Sequence, residues 1–161
     1  MEKDKITALI PKNKFDTSTL DELTKINEEE MKTILPDLIL WIADFNWPIA
    51  KEMIKILTIY PNSLVPVIKK SLDPFQTDDI LKYWIILKLI PELSREYRDL
   101  LRQDIERIYR EPTLGEISEN VHCEAKILLH FVDGLPLLPK RRKCGADYFR
   151  EKTQPVRKRS L

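Results

Sequence analysis

Glycine is almost missing from this chain. Only Gly115, Gly134 and Gly145 occur in 161 residues, too few for the tight turns of an all-β fold built from hairpins. The shortage also leaves no glycine-rich cradle for phosphate, no dinucleotide fingerprint and no backbone nest for an oxyanion. Soft ligands are as scarce: Cys123, Cys144, His122, His130 and three methionines are the whole supply. Cys123 and His130 share a face of one predicted helix, but seven residues put them about 10 Å apart, too far to hold one zinc ion. A Cys–His catalytic pair fails on the same spacing. The expectation is no catalytic residue, no metal, no cofactor and no enzymatic activity, with Cys123 a buried thiol. Two cysteines do not make a disulfide framework. No apolar run reaches the length of a membrane span, and the stretch between Lys5 and Pro11 has no secretory h-region. A cytoplasmic protein is expected.

Proline, by contrast, is plentiful at 11 residues, set among apolar runs in a chain that is 43% hydrophobic and 33% charged. That combination predicts a soluble all-α domain whose helices start and stop often. Thr19-Leu20-Asp21-Glu22 matches the capping box and predicts a short helix with Leu20, Leu23 and Ile26 inward. Asn27 followed by three glutamates predicts a second start. Pro36 is read as a kink or break. Beyond it, Leu38, Trp41, Ile42 and Phe45 share a helical face, with Trp41 and Trp84 assigned to the core. Asn46 reads as a cap and Pro48 as a first-turn proline. Ile49, Ala50, Met53, Ile54, Leu57 and Tyr60 then line an amphipathic helix ended by Pro61-Asn62-Ser63. Residues 1–16 are expected to lie across the first helix without an element of their own.

The pattern then recurs. Val65, Ile68 and Leu72 continue a short helix, and Thr77 with Asp78 and Asp79 supplies a cap and acidic first turn. Ile80, Leu81, Trp84, Ile85 and Leu89 form the next apolar face. Ile49 and Ile80, Met53 and Trp84, and Ile54 and Ile85 are each thirty-one residues apart, a repeat with a period near thirty. A third unit runs from Ser94 through Ile108 and Tyr109. It breaks at Glu111-Pro112-Thr113-Leu114-Gly115 and closes with Val121, Ala125, Leu128, Leu129 and Val132. Three antiparallel helical hairpins describe a short right-handed α-solenoid of HEAT type over residues 1–132.

Charge divides the chain differently. Residues 133–161 hold nine Lys or Arg against three acids, a tail of +6. The remaining 18 bases and 23 acids give a body of −5. Lys140, Arg141, Arg142, Lys143, Arg157, Lys158 and Arg159 could meet an anionic ligand such as nucleic acid. A solvated or self-docked tail that neutralises the body is the plainer alternative.

Taken together, Leu9-Ile10-Pro11-Lys12, Asp44-Phe45-Asn46-Trp47-Pro48-Ile49-Ala50 and His122-Cys123-Glu124-Ala125 resemble a family of small bacterial helical-repeat proteins that carry a domain of unknown function. Asn46-Trp47-Pro48-Ile49-Ala50 is the most specific part, an Asn-Trp-Pro-(aliphatic)-Ala signature. The resemblance covers about the first four-fifths of the chain. It implies an all-α, HEAT-like fold and brings no catalytic residues.

The function expected is a non-enzymatic protein-interaction module that holds a peptide or protein. Asp44, Asn46 and Trp47 are candidate contacts in one turn, and Asp78 and Asp79 form a candidate acidic rim. Each also has a plainer role: Trp47 as a staple between hairpins, the acids as helix N-terminal charges. Two alternatives stand beside this reading. An immunity-like protein masking a basic toxin would use the acidic body. A nucleic-acid-binding helical repeat would use the basic tail.

Overall fold

The computed structural model of the chain describes residues 3–134. Among the described residues every regular element is helical, with no strand. The α-helices are α1 (Lys3–Thr7), α2 (Leu20–Leu23), α3 (Glu28–Leu38), α4 (Pro48–Leu57), α5 (Pro61–Ser71), α6 (Asp79–Trp84), α7 (Arg95–Arg110), α8 (Leu114–Ser118) and α9 (Val121–Val132). A 3₁₀ turn over Ile39–Ile42 prolongs α3. α6 passes into a π-helical turn, Ile85–Leu89, and a 3₁₀ turn, Ile90–Glu92.

The order of packing follows the chain. α3 lies against α5, α5 against α7, and α7 against α9, while α6 meets both α8 and α9. Met31, Leu35, Met53, Leu57, Leu64, Ile68, Leu89 and Ile108 are among the fully buried side chains that make one continuous core. Polar bonds fasten its edges. Glu28 Oε1 accepts from the Ser63 N–H at 3.2 Å and from its hydroxyl at 3.0 Å, tying α3 to α5. The Tyr60 hydroxyl lies 2.7 Å from Leu23 O and 3.0 Å from Ile26 O. Burial raises its pKa above the ordinary tyrosine value.

Several local expectations give way to the structure. Residues 3–7 do form a short helix, α1; its Ile6 and, just beyond it, Leu9 reach the core. Thr19 is helical in backbone and makes no cap; its hydroxyl donates instead to Leu9 O at 2.7 Å, fastening the N-terminal arm. Asn27 does cap α3, its Oδ1 accepting from Glu30 N at 2.9 Å. Pro36 neither ends nor restarts α3, which runs two residues past it before tightening to 3₁₀. Its ring is exposed, so the missing N–H costs one solvent-side helical bond. Pro61 starts α5 at a first-turn position and does not simply stop α4.

Positions thirty-one residues apart are not all alike in burial. Ile54 and Ile85 are both buried, but Ile49 is buried while Ile80 is 52% exposed. In α6 the inward direction belongs to Leu81 and Lys82, which turns Ile80 outward. Met53 is fully buried, whereas its counterpart Trp84 is only half-buried, as is Trp41, against the expectation of core tryptophans. Cys123 is buried but disulfide-bonded, not the free thiol expected.

Candidate partner-binding site

The turn before α4 is built by short-range bonds. Asp44 Oδ1 accepts from the Asn46 N–H at 2.9 Å, and the Trp47 N–H donates to Asp44 O at 3.0 Å. An acidic side chain that bonds two residues ahead sets such a turn locally. Trp47, not Asn46, occupies the cap of α4; its backbone is extended and Pro48 follows at the first helical position. Asn46 is left exposed, and Asp44 and Trp47 are half-buried.

This turn carries Phe45 and Trp47, two of five aromatic side chains that pack in two groups around it. Trp47 meets Trp41 edge-on, ring centroids 5.9 Å apart. Phe45 stacks on Trp84 at 5.5 Å, and Tyr83 meets Trp84 edge-on at 5.1 Å. The ammonium of Lys88 sits 5.2 Å from the Phe45 centroid, a cation–π distance. All five residues are half-buried. Trp41 and Trp47 also pack on the core, which gives the ridge a fixed base. Sequence spacing singled out Trp47, but the ridge takes in Phe45, Tyr83, Trp84 and Lys88 as well. Phe45 and Trp84 are thirty-nine residues apart in sequence, and no local periodicity joins them.

Asp78 and Asp79 stand at the other end of α6, about 8 Å along its axis from Trp84. Asp78 caps α6, its Oδ1 accepting from Leu81 N at 2.9 Å. Asp79 lies 3.0 Å from Lys82 Nζ. The structure therefore brings Asp44, Asn46 and Trp47 together and places the two acids elsewhere. Lys140, Arg141, Arg142, Lys143, Arg157, Lys158 and Arg159 lie outside the described residues.

Asp79 belongs to a buried charge cluster absent from the sequence expectations. Lys82 and Glu116 are both 0% exposed and meet at 3.0 Å. Glu116 Oε1 also accepts from Arg107 Nη2 at 2.8 Å; Oε2 accepts from Arg107 Nη1 at 2.6 Å and from the Thr113 N–H at 2.9 Å. Thr113 returns a bond to Glu116 N, completing a capping box on α8. The carboxylate thus joins α6, α7 and α8, and Arg107 Nη2 reaches further, to Leu72 O at the C-terminal end of α5 at 2.7 Å. Burial pushes the Glu116 carboxyl up. The bonds from Arg107, Thr113 and Lys82 outweigh it and hold the group below the usual carboxylate range. Its lone pairs are fully used, so its work here is to fasten helices. The signal for it was legible: Thr113-Leu114-Gly115-Glu116 is itself a Thr-x-x-Glu match.

No curated protein matches the chain. A family described as "Domain of unknown function (DUF5071)" matches residues 9–129, from the N-terminal arm through the turn at Asp44–Trp47 to α9, and the chain belongs to that family.

Proposed function

We propose that this chain is a non-enzymatic protein-interaction module whose protein or peptide partner docks on the aromatic ridge. The observation that carries the reading is a pair of half-buried aromatic groups, Trp41 on Trp47 and Phe45 on Trp84 on Tyr83, linked through the turn that carries Phe45 and Trp47. Rings held in place by their neighbours lose little conformational freedom on binding, and large aromatics dominate interface energetics. Asp44, Asn46 and Lys88 supply polar edges of both signs.

In this reading the scaffold is a short right-handed α-solenoid of about three antiparallel HEAT-like hairpins. The succession of α3 on α5, α5 on α7 and α7 on α9 supports it, because stacked repeats bury their faces on the next unit. No helix among the described residues is long and apolar enough to cross a membrane.

The test is affinity capture from the source cell with the full chain, beside Phe45→Ala and Trp47→Ala variants shown by circular dichroism to remain folded. A partner that binds the parent chain should lose about thirtyfold or more in affinity, the mark of a central anchor. Unchanged partners and affinities in both variants would remove the ridge from the interface. Binding of DNA or RNA in low salt, lost on truncation at Gly134, would instead support a nucleic-acid role for the tail.

A further inference from the structure

α7 and α9 pack side by side, and a cleft of about 190 Å³ opens between them. Two contacts set the register of the pair. Arg102 Nη1 meets Asp133 Oδ1 at 2.8 Å, and the Lys126 ammonium sits 5.8 Å from the Tyr109 ring centroid. Seven residues separate these contacts on each helix, about 10 Å of rise, so the two walls stay in step along the cleft. Positions 102, 106, 109 and 110 share one face of α7, and positions 126, 129 and 130 share one face of α9.

The charges in this cleft are unevenly matched. Arg102 serves both acids. Its Nε donates to Glu106 Oε1 at 3.0 Å, and its bond to Asp133 holds that carboxyl below the usual carboxylate range. Arg110 and Lys126 line the same cleft, and neither has an acidic partner among the described residues. His130 supplies a second, independent signal. Its Nδ1 is buried and has no hydrogen-bond partner among the described residues, a state that a bound group or a water ordinarily relieves.

We propose that this cleft binds a phosphate group, free or as the monoester of a small ligand, between Arg110 and Lys126, with His130 Nδ1 donating to one of its oxygens. A phosphate monoester carries about −1.5 to −2 charge at neutral pH and three strong acceptor oxygens. Two unpaired cations and one donor match it, whereas a carboxylate would leave one cation unmatched. The guanidinium offers a planar fork to two oxygens and the ammonium a point charge. In its Nδ1–H form the imidazole is the neutral donor. Size narrows the ligand further. The cleft's roughly 190 Å³ falls short of the about 300–1,000 Å³ of drug-sized sites. It suits a phosphate on a short stem, covered by Leu129 and the Tyr109 ring, and excludes a whole nucleotide. The cleft shares no residue with the aromatic ridge, so the inference does not rest on the partner reading.

Titration of the full chain with sodium phosphate and with phenyl phosphate at constant ionic strength, followed by amide NMR shifts, tests this. At least one should saturate with a dissociation constant of about 1 mM or tighter, moving Tyr109, Arg110, Lys126 and His130 and leaving α4 and α5 still. Arg110→Gln and Lys126→Gln, each checked for an unchanged melting temperature, should weaken binding about tenfold or more. Lys126→Arg should keep it. His130→Asn, whose amide can donate from near the Nδ1 position, should bind better than His130→Leu. Tighter binding of phenyl phosphate, with shifts at Leu129, makes the ligand a monoester; equal or tighter binding of inorganic phosphate makes it the free ion. Benzoate bound as tightly as phenyl phosphate overturns the inference. So does a titration that saturates with neither phosphate, or full affinity in the Arg110→Gln, Lys126→Gln double variant.

Discussion

Lys82 and Glu116, thirty-four residues apart in sequence, form an ion pair 3.0 Å long with neither side chain exposed to solvent. Two charges so placed cost desolvation energy that only a fully bonded arrangement offsets. Here Glu116 has Arg107, Thr113 and Lys82, and Lys82 has Asp79 besides. Removing Glu116 takes a buried anionic partner from Lys82 and Arg107 at once, leaving Lys82 with Asp79 and Arg107 with Leu72 O. Glu116→Ala is expected to lower unfolding stability by about 3–5 kcal/mol. Lys82→Met, which leaves the Arg107 fork intact, should cost clearly less. Urea denaturation of both variants decides; equal losses would refute the central place given to Glu116.

Acid should reach the same carboxylate. Its folded pKa is lowered, so its contribution is present above the unfolded value of about 4.3 and fades as pH falls through the folded value. Glu116→Gln removes that dependence. The stability gap between the parent chain and Glu116→Gln should therefore be widest near neutrality and shrink as pH drops below about 4. A gap that stays constant from pH 7 to pH 3 would show that the carboxylate does not titrate this way.

Gly115 is set beneath the Asp79 carboxylate, and a Cβ there would run into it. The backbone at Gly115 is helical, so alanine would otherwise be welcome. Gly115→Ala should destabilise by about 1–3 kcal/mol, the usual cost of forcing volume into a packed site. Adding Asp79→Ala should return part of that loss. Thermal melts of the two single variants and the double would show a non-additive cycle; strict additivity would mean the clash is relieved elsewhere.

Two threonine-or-asparagine starts should separate in their mechanisms. Asn27→Ala removes a side-chain cap from α3 and should cost about 1 kcal/mol. Thr19→Ser keeps a hydroxyl for Leu9 O and should be nearly neutral, while Thr19→Ala releases the N-terminal arm. Amide exchange read at α1 and at Leu9–Ile10 should rise in Thr19→Ala and stay low in Asn27→Ala. Faster exchange at the start of α2 alone would restore Thr19 as a cap.

Much of the fold could be read from local pattern, because helix starts and amphipathic faces are local properties. Asn27, Pro48, α4 and α9 all follow from residues within a turn of each other. The Thr-x-x-Glu pattern makes no side-chain cap at Thr19 and a full capping box at Thr113. What separates the two is tertiary: Leu9 O competes for the first hydroxyl, and Arg107 and Lys82 converge on the second glutamate. The aromatic ridge was half visible for the same reason. Trp47 stands out in its turn, but Phe45 and Trp84 meet only because α6 packs beside the turn at 39–42.

The π-helical turn at Ile85–Leu89 sets a rotational phase. Its closing bond, Ile90 N–H to Ile85 O, encloses one residue more than an α turn does. Deleting that residue would give an ordinary helix and turn everything before it by about 100° relative to everything after. Lys82 would then swing off Glu116 while Leu89 and Ile90 stayed in the core. The extra residue thus acts as a spacer, letting one continuous rod satisfy a buried charge at one end and an apolar wall at the other.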